Sequence, residues 1–560
     1  MEAAYFRGGR FLMNTPPNFS ASRDNAIQQF TSQQLIPRLW AKDVTVWSAQ
    51  PAEQEAIRNR LGWLSISSVM ARECARIETI ADSIRRDGFT HALLLGMGGS
   101  SLFPEVCRGI FGVESGWLDL AVLDSTDPSA ILAAQQRAPL ERTLILVSSK
   151  SGSTIEVSTL CDYFYEEVRK VRGAQAGRQF IAITDEGTPL EALATQRNFR
   201  EIFVHGADSG QDVGGRFSAL TYFGLVPAAL IGMNIRRFLD RAESMKARCQ
   251  ADVPLAENPG VQLGAFLSVA AASGKDKVTL AFPEKIAPFG AWVEQLVAES
   301  TGKSGKGLVP IDREPILKPA QYPADRVFVE LQLEGHVDEA LARAMAACEK
   351  AGHPVIRLRW EDTYDLGGET MRWAIATALA AWTMQINPFD EPNVQESKDR
   401  TKEVLTHYVK EGAFPAEPPQ TGDQAAAVTN VLRQAREGDY LALLSFLPRT
   451  PEIDQAVESF RMQLAQRLPI ATTLGYGPRY LHSSGQLHKG GSDRGLFLVL
   501  TADDPVDVAI PGKPYTFRVL KQAQALGDVQ ALIAHQRRVL RVQLGAEPLK
   551  ALRQLLETHT

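Results

Sequence analysis

The stretch Glu294–Gly307, EQLVAESTGKSGKG, decides how this chain is read. Just before it lies Val278–Phe282, a short apolar run with strand character. Phe289, Trp292, Val293, Leu296 and Val297 then fall at i, i+3, i+4, i+7 and i+8, the single apolar stripe of a buried helix. The stripe ends at Glu299, and Ser300-Thr301-Gly302 stops the helix. A carboxylate is thereby set at the end of a buried helix, beside a flexible loop carrying Lys303 and Lys306. Two readings stand at this point. One is a helix end with solvated charges; the other is a base held against a small anionic substrate.

Outward from this stretch, strands and helices alternate. Strand candidates His91–Leu95, Leu118–Leu123, Thr143–Val147, Phe180–Ile183 and Glu201–Val204 are separated by helical spacing. That pattern is a parallel sheet with helices on its faces, which binds ligands at the C-terminal ends of its strands. A second alternation has strands at Val278–Phe282, Val327–Gln332 and Val355–Trp360 and helices at 288–300, 337–351 and 368–386. Residues 413–424 are rich in proline and glycine and read as a linker. Beyond it, Tyr440–Leu447, a helix at 451–467, Ile470–Tyr476, Leu496–Leu500 and a long helical tail form a smaller α/β piece. Residues 1–80 read as mostly helical around Trp40, Trp47 and Trp63, without chemistry of their own, and 1–15 as a poorly ordered leader. The expected class is α/β, divided into a helical segment 1–85, sheet domains 86–245 and 246–412, and a C-terminal domain 425–560.

Composition bounds the function. Apolar content of 44% and charged content of 22% are those of a soluble globular protein. A net charge of −5 gives no basic face for nucleic acid, so any anion site must be local. The five cysteines are scattered without a CxxC, which argues against a disulfide framework or zinc cluster and fits a reducing cytoplasm. The first residues lack the apolar core of a signal peptide. Phe217–Met233 is broken by polar residues and Pro227, a buried helix rather than a membrane span, which needs about 20 apolar residues.

Two loops leave strands of the first sheet and enter helices. One is Gly96-Met97-Gly98-Gly99-Ser100-Ser101; the other is Ser148-Ser149-Lys150-Ser151-Gly152-Ser153-Thr154. Glycines allow close backbone approach, hydroxyls add donors, and helix N-termini favour negative charge. Together they make a cradle for one phosphate monoester. A dinucleotide site is the rival, because Asp124 ends the next strand. However, Ser101 stands where G-x-G-x-x-G wants its third glycine, and no GK[ST] closes a Walker loop. Val213-Gly214-Gly215-Arg216-Phe217-Ser218 brings a guanidinium able to stabilise an oxyanion. His482 and His488 sit in the glycine-flanked run HSSGQLHKGG, where imidazole can shuttle a proton near neutral pH.

Taken in order, the GxGGS loop, SKSGST, VGGRFS, AESTGKSGKG and NPFDEPNVQESK resemble the glucose-6-phosphate isomerase family over residues 85–400. The N-terminal segment and HSSGQLHKGG are similar to the isomerase half of transaldolase–phosphoglucose isomerase fusion proteins, with no transaldolase half expected in this chain. The resemblance implies two sugar-isomerase (SIS) sheets with the active site between them. It implies interconversion of glucose 6-phosphate and fructose 6-phosphate without metal or organic cofactor, usually in a homodimer. Ser100, Ser149, Lys150, Ser151 and Thr154 are implied to hold the phosphate, with Gly98, Gly99 and Ser153 in the same loops. Arg216 is implied to stabilise the enediol charge. Glu299 is implied to carry the proton between C1 and C2, and Lys398 to assist ring opening.

Three positions depart from the family pattern. Glu391 stands where the family has an active-site glutamine. Ser151 and Gly152-Ser153 stand where threonines are common. The ring-opening histidine, usually between the glutamate and the lysine, has no counterpart there, since His336 and His353 lie outside the motif. The expected substitute is His488, or second to it His482, from the third domain, which could reach across a dimer. Three rival functions follow: a dual glucose/mannose 6-phosphate isomerase, a non-catalytic sugar-phosphate regulator, and a nicotinamide-dependent oxidoreductase. Retention of Glu299, Arg216 and Lys398 together disfavours the regulator, and the loop chemistry disfavours the oxidoreductase.

Overall fold

The computed structural model describes residues 11–14, 16–207, 209–416 and 424–558. Most of the expected leader, and residues 417–423 of the expected linker, lie outside the described residues. Within the leader, Phe11–Asn14 form a strand, β1. Helices Pro17–Ser32 and Ile66–Arg86 follow.

The first sheet comprises β2 (His91–Gly96), β3 (Asp119–Leu123), β4 (Thr143–Ser148), β5 (Phe180–Asp185) and β6 (Glu201–His205). All pairs are parallel, in the order β3-β2-β4-β5-β6. The central strands HALLLG and TLILVS are apolar on both faces because helices cover both sides of a parallel sheet. The second sheet comprises β7 (Lys277–Ala281), β8 (Val309–Ile311), β9 (Arg326–Leu333) and β10 (Val355–Trp360), with β1 antiparallel on the β10 edge. The third comprises β11 (Tyr440–Phe446), β12 (Ala471–Tyr476), β13 (Gly495–Thr501) and β14 (Arg538–Gln543), all parallel, in the order β12-β11-β13-β14.

The expected strands of the first two sheets are all present, and three further strands have clear reasons for escaping notice. β8 has three residues and contains Pro310, which an edge strand tolerates. β14 lies inside the expected helical tail; the Phe517–Ala534 helix stops before Gln536, whose φ of 56° is left-handed, and RVLRVQ then extends. β1 is a four-residue strand whose pairing partner lies more than 300 residues away, beyond any local signal.

The helix Phe289–Thr301 buries Phe289, Trp292, Val293, Leu296 and Val297 on its expected stripe. Helices Pro259–Ala272 and Asp365–Met384 are buried on nearly every face and fill the space between the first two sheets. The N-terminal segment joins this same core: Trp63 stacks on Phe217, and Trp47 donates its indole N–H to the carbonyl of Ala378 at 3.0 Å. The third sheet lays Tyr440, Ala442 and Leu444 against Ala298, Val309 and Ile311. Its position is therefore set by the end of the helix that carries Glu299.

Candidate active site

The C-terminal ends of the first-sheet strands, the end of the Phe289–Thr301 helix and the loop after β12 converge on one cleft of about 930 Å³. Gly98, Gly99, Ser100, Lys150, Ser151, Thr154, Arg216, Glu299, Glu391, Lys398 and His482 line it. Two glycines allow the loops to meet. A Cβ on Gly99 would lie 2.0 Å from the carbonyl oxygen of Gly215, and one on Gly98 would lie 2.8 Å from that of His482. The GxGGS loop, the VGGR loop and the histidine loop therefore touch backbone to backbone.

Thr154 is the N-cap of the Ile155–Arg172 helix, and its side chain makes no capping bond. The first N–H groups of that helix keep their capacity for an anion. Ser149 is buried and donates its hydroxyl to Thr154 Oγ1 at 3.2 Å, so it shapes the loop from inside. Ser153 bonds Ser151 at 3.2 Å and faces an adjoining cavity of about 770 Å³ that shares Thr154, Lys398 and His482 with the cleft. Lys150 is tied to the Asp185 carboxylate and to the carbonyl of Gln211 at 3.0 Å. Burial lowers its pKa against the pull of Asp185.

Arg216 is buried, at 2% exposure, and all of its nitrogens are engaged. Nε donates to Ser300 Oγ at 2.8 Å and Nη2 to the carbonyls of Pro388 and Asp390 at 2.7 and 2.9 Å. Nη1 donates to Glu391 at 2.9 Å and lies 3.2 Å from Glu299 Oε1. The other Glu299 oxygen accepts from Gln295 Nε2 at 3.1 Å, and the same amide reaches the carbonyl of His482 at 3.0 Å. Burial pushes the Glu299 carboxyl above its ordinary range, with Glu391 adding to the push and Arg216 opposing it. Glu391, in place of an amide, is ionised more readily than usual: burial opposes this, but the Arg216 guanidinium prevails.

Lys303 and Lys306 do not face the cleft as cations for a substrate. Lys303 donates to the carbonyl of Asn387 and the carboxylate of Asp390, each at 2.7 Å, and Lys306 to the carbonyl of Met384 at 2.8 Å. Lys303 staples the Asn387–Glu391 turn, whose carbonyls in turn hold Arg216, and Lys306 ties down the end of the helix that leads into it.

The histidine expectation is corrected. His488 is 3% exposed and sits among Tyr440, Tyr480 and Phe497 in the core of the third sheet, off the cleft. Its Nδ1 has no hydrogen-bond partner, and burial holds its pKa far below the usual imidazole value. His482 lines the cleft instead, with Nε2 at 2.9 Å from Glu156 Oε1. Bonding to a carboxylate places the proton on Nε2 and leaves Nδ1 free. Glu156 is buried and also accepts from Gln524 at 2.7 Å. Burial would raise its carboxyl, yet His482 holds it below its usual value. Glu299 and His482 belong to one chain, so the histidine does not need to come from a second subunit.

Gln295 and Arg60 line the cleft and Glu156 the adjoining cavity, and sequence reasoning passed over all three. Glu156 follows Thr154 by two residues and Gln295 precedes Glu299 by one helical turn, so spacing could have marked both. Arg60 comes from the segment read as lacking chemistry, and nothing local marks it. Asp124, the acid a dinucleotide site would need, is instead salt-bridged to Arg479 at 2.6 Å.

An uncapped helix N-terminus, a buried Glu–Arg pair and a carboxylate-held histidine meet in one cleft of a parallel-sheet α/β fold, the SIS-type arrangement. The family model described as phosphoglucose isomerase matches residues 79–310. A probable glucose-6-phosphate isomerase of Methanococcus maripaludis is 26% identical over 355 residues, 57% of this chain and 79% of that one. A glucose-6-phosphate isomerase of Prochlorococcus marinus is 34% identical over 250 residues, 42% of this chain and about half (47%) of that one. The crystal structure of a glucose-6-phosphate isomerase from Chlamydia trachomatis superposes with a TM-score of 0.57 at 16% identity, covering 77% of this chain and 92% of that one, and shares the fold. The chain is similar to phosphoglucose isomerases over residues 79–310 and is an isomerase. No described helix is long and apolar enough to cross a membrane.

Proposed function

We propose that the chain interconverts glucose 6-phosphate and fructose 6-phosphate through a cis-enediol, with Glu299 as the base. The observation that carries this reading is the Glu299 carboxylate beside Arg216 at 3.2 Å, in a cleft that also holds an uncapped helix N-terminus for a phosphate. The Glu299 carboxylate takes the C2 proton of the open-chain aldose, leaving an enediolate charge on O1, and the hydroxyl proton of O2 then passes to O1. Glu299 returns the proton it took to C1 as the C2 carbonyl forms. A base of raised pKa suits proton transfer at neutral pH, because proton affinity close to the working pH favours both halves of the cycle. Arg216 is fixed by five protein contacts before substrate arrives, so its charge needs no reorganisation to meet the enediolate oxygens.

His482 opens the sugar ring. Its free Nδ1 exchanges a proton with the ring oxygen, while Glu156 holds the imidazole in one tautomer and orientation. Lys398, unpaired among the described residues, assists at the other side of the ring. The phosphate rests on the Ser100 and Ser149–Thr154 loops, and its binding supplies remote energy for orientation. The same reading places the protein in a reducing cytoplasm as a homodimer without metal or organic cofactor; its five buried, unpaired cysteines are compatible with that compartment.

The test is NMR of purified protein with fructose 6-phosphate in deuterated water, wild type beside Glu299→Gln. Glucose 6-phosphate carrying deuterium at C2, formed by wild type alone, is the expected result. Binding without turnover in either protein would instead favour a sugar-phosphate regulator, and mannose 6-phosphate among the products a dual isomerase.

A further inference from the structure

The phosphate cradle has an incomplete charge balance. Its hydroxyls and helix N–H groups are neutral donors, and its one lysine, Lys150, is neutralised by the Asp185 carboxylate. The other cations around the cleft are mostly committed. Arg216 faces Glu299 and Glu391, Arg58 is bonded to Glu55, and Lys42 lies 3.9 Å from Asp212. Among the described cleft residues, Arg60 and Lys398 are left with no carboxylate partner. Lys398 acts on the Glu156–His482 side, where its charge helps to lower Glu156. Arg60 acts on the other side, where its charge reaches Lys150, Asp185 and Glu391.

The position of Arg60 is built. The helix Pro51–Arg58 ends just before it, and Leu61 beside it is fully buried. Leu61 forms an antiparallel bridge with Val213, and the N–H of Gly62 donates to the carbonyl of Asp212 at 3.1 Å. The stem of Arg60 lies over Gly214, with Cδ at 3.4 Å from where a Cβ would stand. The N-terminal segment is thus pinned, residue by residue, to the same Val213–Arg216 loop that delivers Arg216. Among the described residues, the Arg60 guanidinium donates one hydrogen bond, to the neighbouring Asn59 carbonyl at 3.1 Å.

We propose that Arg60 is a substrate-binding residue that supplies the positive charge for the sugar phosphate. This inference rests on the sugar-phosphate reading above and adds a contact from a segment outside the two sheets. A planar guanidinium suits a phosphate oxygen pair, whereas Lys150, held by Asp185, contributes geometry to the loop.

The experiment compares wild type, Arg60→Gln and Arg60→Lys by steady-state kinetics with fructose 6-phosphate and by calorimetric titration with inorganic phosphate. Loss of a charged hydrogen bond predicts a KM raised about 10- to 100-fold in Arg60→Gln, with kcat changed less than about threefold. Phosphate affinity should fall in parallel, Arg60→Lys should recover part of both, and thermal melting should be unchanged. A KM within about twofold of wild type in Arg60→Gln would overturn the proposal. So would a raised KM with unchanged phosphate affinity, which would assign Arg60 to the sugar hydroxyls. Wild type that neither turns over nor binds fructose 6-phosphate removes the isomerase reading, while the phosphate titration still decides the role of Arg60.

Discussion

Glu299 works under two opposed influences: burial and Glu391 push its proton affinity up, while Arg216 pulls it down. Glu299→Gln keeps the shape and the Gln295 contact but cannot accept a proton. It should lower kcat by about 10²–10⁴-fold with fructose 6-phosphate still bound, read as lost C2 deuterium exchange. The two histidines separate cleanly. His482→Ala should slow turnover of the cyclic sugar far more than of the open-chain form, compared by rapid mixing of each. His488→Phe should keep activity, because the ring sits among Tyr440, Tyr480 and Phe497 and carries an unsatisfied nitrogen. An inactive, well-folded His488→Phe would return the proton-shuttle role to that residue. The placing of Glu299 in the cleft was legible in the sequence because an amphipathic stripe ending in a carboxylate is a local pattern. The choice between His482 and His488 was not, since it depends on which side of a third sheet each residue faces.

The helix Phe289–Thr301 serves two cavities. Glu299 faces the cleft of about 930 Å³, while Glu294 faces a cavity of about 570 Å³ shared with Asp312, Arg449 and Arg479. Burial, together with the Asp312 carboxylate, pushes the Glu294 carboxyl from 4.5 up to about 8. The folded chain then holds a proton there that the unfolded chain releases near its ordinary value. Between those two values the folded state binds more protons, so this group's contribution to stability falls as pH rises through about 8. Glu294→Gln should therefore melt higher than wild type at pH ~8.5 and alike at pH ~4.5; a lower melting point at the alkaline pH would contradict the burial argument. At this scale the long parallel strands were readable because they run apolar for five or six residues. β8 and β14 were not, because one is three residues long and the other alternates weakly beside a helix.

Across the whole molecule, Glu299 and His482 line one cleft of a single polypeptide although almost 200 residues separate them. The third sheet is pressed onto Ala298, Val309 and Ile311, and its loop reaches back to the first sheet through the Glu156–His482 contact. Mixing Glu299→Gln with His482→Ala protein should restore no activity, even after joint refolding; recovery toward about a quarter of wild type, the share of intact sites in randomly paired dimers, would show that the histidine crosses between subunits. Three alternating α/β regions could be read from pattern alone. Their docking could not, since contacts such as Arg461 to the Asp312 carbonyl, at 2.8 Å, join partners 149 residues apart. One edge deserves thought in anyone's expression plasmid. Phe11–Asn14 covers the outer backbone of β10, which otherwise would offer a row of open amide and carbonyl groups to neighbouring molecules. A trimmed gene product beginning at Pro16 should keep its cleft yet become sticky, forming larger particles in light scattering as its concentration rises. The four residues act as a bumper: they add no chemistry and keep one molecule from adhering to the next.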